Sequence, residues 1–533
     1  MGLLQCFWLY AVLLTVPAAI LPALRLTLLQ FCARILIACI AAYHLAVGVY
    51  NIFIYPFYVS PLRHLPGPKD HHFLLGHALN QIRSGDPTEP YTTWMRTWPG
   101  ERFIRAIGFG HSDGLLVTRI DAFREIFQTK ADLFIKPKFH TRIITPITGV
   151  GVVFSEGEEH KSQRRFLSPP MSIGKIKRML PVFQQKSQQL VQLFDQLAES
   201  GGGVVDVSDV YARVTLDVIV LFTMGLDMDV VLKDSIFRQS FHQTFDPSPF
   251  GLLLVGISAF VPAIRYLPLE ENRKFNNAIS ETRARIRNII RQRRAEINAG
   301  KVDIGAEPDM LTYMLMEQSV EDPWPEDKIM DNVLNFMVAG YETSGNTLTW
   351  ATNRLCIRPD IQDKLRAEVQ GLLARKPNPD YADLEGLRYL DNFCKESLRF
   401  QASGIMAARE ATEDVEVCGT LIPKGTSLLM IPHIINRNPA IWGDDVDEFK
   451  PDRWDNLSGD ARDPFALATF LFGPRSCMGR VFAMLEMKMV LVEVLSKFRF
   501  EPEVEQEDIV LVNPCPALRV SGGLKVRVRR REE

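Results

Sequence analysis

Cys477 is the residue best placed to do chemistry. It stands in FLFGPRSCMG, residues 470–479, two positions after Arg475, between Gly473 and Gly479, at the mouth of a long apolar helix. Thiolate rather than thiol ligates metal, and a helix N-terminus with a nearby guanidinium acidifies a cysteine, so this setting suits a thiolate holding an iron. The glycines let backbone come close to a flat ligand without a Cβ in the way. A lone free cysteine usually serves as a small buried hydrophobe, but that role needs neither the arginine nor the glycines. A second constellation, Ala339-Gly340-Tyr341-Glu342-Thr343, lies inside a helix-period stretch. Small residues there open room, and a hydroxyl beside a carboxylate can relay protons through water. Taken alone the motif is weak, because a helical threonine commonly bonds the carbonyl one turn back. In KESLR, Glu396 and Arg399 stand three apart and share a helical face. Such pairs usually sit at the surface and contribute about 0.5 kcal/mol or less.

The loop resembles the haem-ligating loop of the cytochrome P-450 family, the haem-thiolate monooxygenases, at Phe470, Gly473, Arg475, Cys477 and Gly479. The resemblance runs across nearly all of the chain after residue 70. It implies haem b with Cys477 as axial iron ligand, O2 as co-substrate, and an oxygen-binding helix in which Ala339 and Gly340 leave room and Glu342 and Thr343 deliver protons. It implies that Phe449, Pro451, Arg453 and Trp454 in FKPDRW follow at the family's distance, with Arg453 joining Glu396 and Arg399 in a buried support for the cysteine loop. It also implies partners for the haem propionates: His160 and Arg164 in HKSQRR, then Arg409, with Arg475 as the fourth. His160 departs from the family pattern, where tryptophan is frequent; imidazole can still donate a hydrogen bond.

Those residues need a large scaffold, and 533 residues at 47% hydrophobic supply one. Lys plus Arg (61) and Asp plus Glu (63) leave a net charge of −2, so nothing global points to nucleic acid. Six arginines between Glu281 and Ile297 could suggest a nucleic-acid grip, but acidic residues and an isoleucine stripe read as a solvated amphipathic helix. The cysteines at 6, 32, 39, 356, 394, 418, 477 and 515 form no CxxC pair, which excludes a disulfide framework and a zinc site and fits a reducing compartment.

The helix-period stretches are 175–198, 208–224, 272–298, 326–356, 361–374, 386–400 and 479–497; strand-like pieces are 102–107, 114–118, 415–417, 427–431 and part of 518–528. The expected fold class is mainly α with small β-sheets, an α+β cytochrome P-450 fold: a single large haem domain behind an N-terminal membrane anchor. Up to Leu62 the only side-chain charges are Arg25 and Arg34, and Asp70 is the first carboxylate. Residues 35–58 are long enough to cross a bilayer, while 3–24, with Pro17 and Pro22, is a second span, an interfacial segment or a cleaved signal peptide. Positive-inside asymmetry favours one firm span when the globular part is cytosolic. The expected organisation is an anchor over 1–60, a proline-rich hinge over 61–69 and a catalytic domain over 70–533.

The expected activity is insertion of one oxygen atom from O2 into a lipophilic small molecule. The hinge and EGEEHKSQRR resemble fungal members that tailor terpenoids, polyketides or alkaloids. Two other readings are an O2-independent haem-thiolate isomerase or dehydratase, and a non-catalytic membrane haem protein. No flavin or dinucleotide fingerprint follows residue 70, so electrons from NADPH are expected through a separate P-450 reductase, with cytochrome b5 as a second donor. Lys161, Arg165 and Arg480 are the expected docking charges, and the endoplasmic reticulum the expected location. The substrate-lining segments implied by the family are 138–156, 243–262, the helix before Gly340, 402–408 and 512–518, with Phe245, Phe250, Phe260 and Leu252 to Leu254 as an apolar patch.

Overall fold

A computed structural model describes residues 21–533, apart from 74, 85, 201, 234–247, 303–308, 320, 322, 405, 513–516, 532 and 533. The stretch 3–20, Phe245, Cys6 and Cys515 therefore lie outside the described residues. Helix α1 (Leu21–Val49) runs on through π-helical turns at Tyr50–Val59. Among the described residues, Gln30–Val59 is the one helix long and apolar enough to cross a membrane. It stops at Ser60, whose hydroxyl accepts the Leu62 N–H beside Pro61, a residue that cannot donate to a continuing helix.

Three strands follow: β1 (Phe103–Ile107), β2 (Asp113–Val117) and β3 (Phe134–Ile135). Then come α2 (Lys138–Thr148), α3 (Gly151–Phe154), α4 (Gly157–Leu167) and α5 (Leu180–Ser200). The 175–198 stretch is thus split, with a short helix Ile173–Arg178 before α5, because Pro181 can only begin a helix. Next are β4 (Val204–Asp206), α6 (Val207–Met224), α7 (Pro249–Phe260), α8 (Glu270–Asn298), α9 (Glu326–Ile357), α10 (Pro359–Leu373) and α11 (Arg388–Phe400). The remainder holds β5 (Arg409–Ala411), β6 (Val415–Val417), β7 (Thr420–Ile422), β8 (Ser427–Leu429), α12 (Arg480–Lys497), β9 (Phe498–Pro502), β10 (Leu511–Val512), β11 (Arg519–Val520) and β12 (Lys525–Arg530).

The largest sheet has the order β1-β2-β8-β5-β3, with only the β2–β8 pair parallel. A second sheet, β4-β12-β9, sews the C-terminal strand to the start of α6. The core is helical: α5, α6, α9 and α12 contribute side chains to one continuous apolar cluster. Almost every residue of α9 from Ile329 to Cys356 is buried, as expected of a helix packed on all sides. The arginines of α8 are spent on α9 and its surroundings: Arg283 meets Asp331, Arg287 and Arg291 meet Glu326, and Arg293 meets Asp309. They serve packing within the chain, as the amphipathic reading required.

Candidate active site

The Cys477 loop is built from short turns at Ala468–Phe470 and Gly473–Arg475, ending at the first residue of α12. The Cys477 N–H donates to Phe470 O at 2.8 Å, closing the loop on itself. Gly473 has φ +65°, and a Cβ there would lie 2.0 Å from Phe127 O, so no other residue fits without displacing backbone. Cys477 is exposed by surface area, yet burial is the largest influence on its thiol. The two facts together put it on the wall of an enclosed space. Burial pushes the thiol up, against the Gly479 N–H and the guanidinium groups of Arg164 and Arg480, which pull it down. The acidified cysteine expected from the sequence is thus corrected for the protein alone: loss of water outweighs the donors.

Beneath the loop, Arg399 forks onto Glu396, with Nε to Oε2 and Nη2 to Oε1 both at 2.8 Å. Both side chains are fully buried. Arg399 also donates to Asn436 O, Val446 O and Glu448 O, while Glu396 accepts from Lys450 N–H and Trp454 Nε1–H. Arg453 lies 3.6 Å from Glu396 and is tied to Asp445. The link to the loop runs through Asn436. Its Nδ2 donates to Leu398 O and Thr469 Oγ1, and its Oδ1 accepts from Ala468 N–H, one residue before Thr469. Asn436 and Thr469 had no signal in the sequence, because their roles come from contacts between loops distant along the chain.

Helix α9 presents Ala339, exposed in the middle of an otherwise buried helix, with Gly340 and Thr343 partly exposed. Thr343 Oγ1 donates to Ala339 O at 2.6 Å, the one-turn back-bond open to any helical threonine. A Cβ on Gly340 would lie 2.6 Å from Ile219 Cδ1, so this glycine also serves the close crossing of α6 and α9. Glu342 is buried, with Oε1 3.9 Å from Arg519 Nη1 on β11.

A cluster of cations lines the third side. Glu156 accepts from Lys136 N–H (3.0 Å) and Lys136 Nζ (3.2 Å), and also from Arg475, whose Nη1 donates to Ser155 O at 2.7 Å. Arg164 donates to Ser476 O (2.8 Å) and Ser476 Oγ (3.1 Å), next to Cys477. Arg409 is buried, donating to Ala408 O and lying over the Phe127 ring. His160 is buried beside them; burial first, then Arg475, Lys136, Arg164 and Arg409, hold its imidazole down to about 3. Burial likewise lowers Lys136 to about 7, with Glu156 opposing and Arg475 and Arg409 adding to the shift. Lys136 and Glu156 are members of this cluster that sequence reasoning missed.

A family model described as Cytochrome P-450 matches residues 66–519. The chain belongs to the cytochrome P-450 family. Among curated proteins it is 32% identical to the cytochrome P-450 monooxygenase sphH of Aspergillus fumigatus, over 85% of this chain and 86% of the relative. It is 29% identical to the cytochrome P-450 monooxygenase FUM15 of Gibberella moniliformis, over 90% of each. The fold matches the crystal structure of the cytochrome P-450DA haem domain with a TM-score of 0.73 and 23% identity, covering 88% of this chain and 98% of that one. As a cytochrome P-450, the chain is a haem-dependent monooxygenase that uses haem b, O2 and NADPH electrons supplied by a reductase, and acts on a lipophilic small molecule. Its relatives do not favour the isomerase reading.

The described residues fit that cofactor. Lys136 and Arg475 bond Glu156, Arg409 lies near the same carboxylate, and Arg164 bonds Ser476 beside Cys477, all in a poorly solvated region. That surplus of fixed positive charge suits a group bearing two propionates, since buried carboxylates require cationic partners. Cys477 supplies an accessible sulfur, and Ala339 is an exposed small side chain in the otherwise buried α9.

Proposed function

We propose that this cytochrome P-450 is a membrane-anchored monooxygenase of fungal secondary metabolism, acting on a terpenoid, polyketide or alkaloid intermediate. The proposed organisation is an anchor over 1–60, a hinge over 61–69 and a catalytic domain over 70–533. One long apolar helix supports the anchor; the proposed site is the endoplasmic reticulum, with the catalytic domain toward the cytosol. The monooxygenase names of the fungal relatives support the reaction class.

In this reading the Cys477 sulfur would hold the haem iron, and the bound haem would supply a centre for O2 activation that a thiolate donor promotes. Arg475, His160, Arg164 and Arg409 hold the propionates, with His160 as a neutral hydrogen-bonding ring. Phe470, Gly473 and Gly479 shape the loop around the ligand. Ala339 and Gly340 leave room on the other wall, and Thr343 releases its back-bond to Ala339 O to pass a proton. Glu342 draws its proton from the Arg519 side, through water to Thr343. Glu396, Arg399 and Arg453 carry no chemistry; they support the loop. Lys161, Arg165 and Arg480 offer charge to the reductase, with cytochrome b5 as a second donor; Arg165 and Arg480 are exposed, and Lys161 also pairs with Glu158. Phe250, Leu252, Leu253 and Phe260 on α7 are exposed apolar residues that support substrate entry from the bilayer side.

The observation that carries this reading is the accessible Cys477 sulfur beside Arg164, with the buried His160 surrounded by Arg164, Arg409 and Arg475. Its test is a carbon monoxide difference spectrum of the reduced protein beside Cys477→Ala. The parent is expected to give the red-shifted thiolate band and the variant to lose it; an unchanged spectrum in the variant would show that another residue ligates the iron.

A further inference from the structure

Before Ala339, α9 carries a second group of polar side chains with a different task. Val150 N–H donates to Asp331 Oδ2 (3.1 Å), Val152 N–H to Asn332 Oδ1 (2.8 Å) and Val153 N–H to Asn335 Oδ1 (3.0 Å). Asn335 Nδ2 donates back to Thr148 O (3.1 Å), and Asn332 Nδ2 reaches Gln163 Oε1 (3.1 Å) on α4, the helix of His160 and Arg164. These are the N–H groups around the start of α3 and its preceding turn, which no helical carbonyl can take. Asn332 and Asn335 are buried, so each amide is committed.

The opposing chain is shaped for this contact. A Cβ on Gly149 (φ +69°) would lie 1.9 Å from Asp331 Cγ, and one on Gly151 (φ +45°) 2.5 Å from Asn335 Cγ. The other oxygen of Asp331 accepts from Arg283 Nη2 of α8 at 2.9 Å. Arg142 on α2 donates to Ala259 O of α7 at 3.3 Å. Asn335 precedes Ala339 by four residues, so the two are stacked neighbours on one stripe of α9. The segment 148–153 is thereby held one helical turn from the exposed alanine and is linked to α7 and α8.

We propose that Asp331, Asn332 and Asn335 form a backbone clamp that fixes residues 148–153 as a wall of the substrate cavity. They are positioning residues: the clamp sets the size and pose of substrate admitted beside Ala339 and touches no reacting atom. The proposal rests on the haem-site reading above. The clamp is specific to large ligands, because a small ligand at the iron does not reach the wall.

The test uses the haem-loaded full chain in four forms: parent, Asn335→Ala, Gly149→Ala and the conservative Asp331→Asn, which keeps an acceptor for Val150. Hydrogen exchange of residues 150–153 needs no haem spectrum. It is expected to quicken at least about tenfold in Asn335→Ala and Gly149→Ala, and much less in Asp331→Asn. Optical titration with 1-dodecylimidazole is expected to show affinity about tenfold weaker in the first two, while plain imidazole changes less than about twofold. Parent-like exchange and parent-like dodecylimidazole affinity in both variants would overturn the clamp. Loss of the thiolate-type carbon monoxide band in Asp331→Asn as well would also overturn it, since the residues would then support the fold and not the wall. Failure of the haem-thiolate reading would show separately, as an unchanged band in Cys477→Ala.

Discussion

The Cys477 loop and the α9 wall are held by opposite kinds of bond. Under the loop, Glu396 and Arg399 form a fully buried ion pair whose remaining groups bond the backbone at Asn436 and along residues 446–450. Along the wall, Asn332 and Asn335 hold one short segment by neutral hydrogen bonds, Asp331, itself paired with Arg283, is the one charged acceptor among the three, and Thr343 bonds its own helix. A buried ion pair is costly to assemble, but removing one partner leaves an uncompensated charge and is more costly still. A neutral hydrogen bond contributes about 1 kcal/mol net and can open and close. The side that must keep one geometry is sealed with charge; the side past which substrate and protons move is held by bonds that can be exchanged.

Breaking the sealed side should have the largest effect. Arg399→Leu leaves Glu396 buried without its fork and should cost about 3–5 kcal/mol, seen as a large fall in unfolding midpoint and in the yield of haem-loaded protein. A parent-like midpoint would show that the ion pair is not what holds the loop. Asn436→Ala removes the amide that ties α11 to Ala468 and Thr469, leaving the direct Thr469 Oγ1 to Leu398 O bond and the ion pair in place, and should cost roughly 1–3 kcal/mol. Its distinctive mark should be a carbon monoxide band converted away from the thiolate form at a temperature where the helical circular dichroism is intact.

Acid should act on the sealed side through a buried histidine beside Arg399. His433 is held down to about 3 by burial, then by Arg437 and Arg399. Its folded value lies below the unfolded value of about 6.5, so between these pH values the unfolded chain binds more protons. Stability should therefore fall as pH drops from about 6.5 toward about 3, by at most about 1.4 kcal/mol per pH unit from this group. Unfolding midpoints measured across that range in His433→Phe should show a shallower acid dependence than the parent. The smallest effect on stability belongs to Thr343→Ala, within about 0.5 kcal/mol, since the lost bond lies inside a helix. It should instead raise NADPH consumption per product formed; unchanged coupling would remove Thr343 from proton delivery.

Much of the scaffold was legible before any coordinates. The stretches 208–224, 326–356 and 479–497 carry long helical periods, and helices α6, α9 and α12 fall within one or two residues of them. The strands at 102–107 and 415–417 were equally plain. Strands of two or three residues, such as Phe134–Ile135 and Val204–Asp206, are too short to show a period of two and form only because a partner strand lies beside them. The same limit hid Lys136, Glu156, Asn436 and Arg519, whose importance lies in partners 20 to 319 residues away.

By itself, the sequence determined the class of chemistry and the class of fold, because a glycine-flanked cysteine after an arginine and long apolar periods are local properties of the chain. Only the tertiary structure decided how those residues are used. It turned Glu342 toward Arg519, drew Arg475 onto Glu156, and left Cys477 in surroundings where burial outweighs nearby positive charge. It also set Gly149 and Gly151 against Asp331 and Asn335. Direction around a helix, desolvation and contact between distant loops depend on what surrounds a residue in space, and no spacing along the chain encodes them.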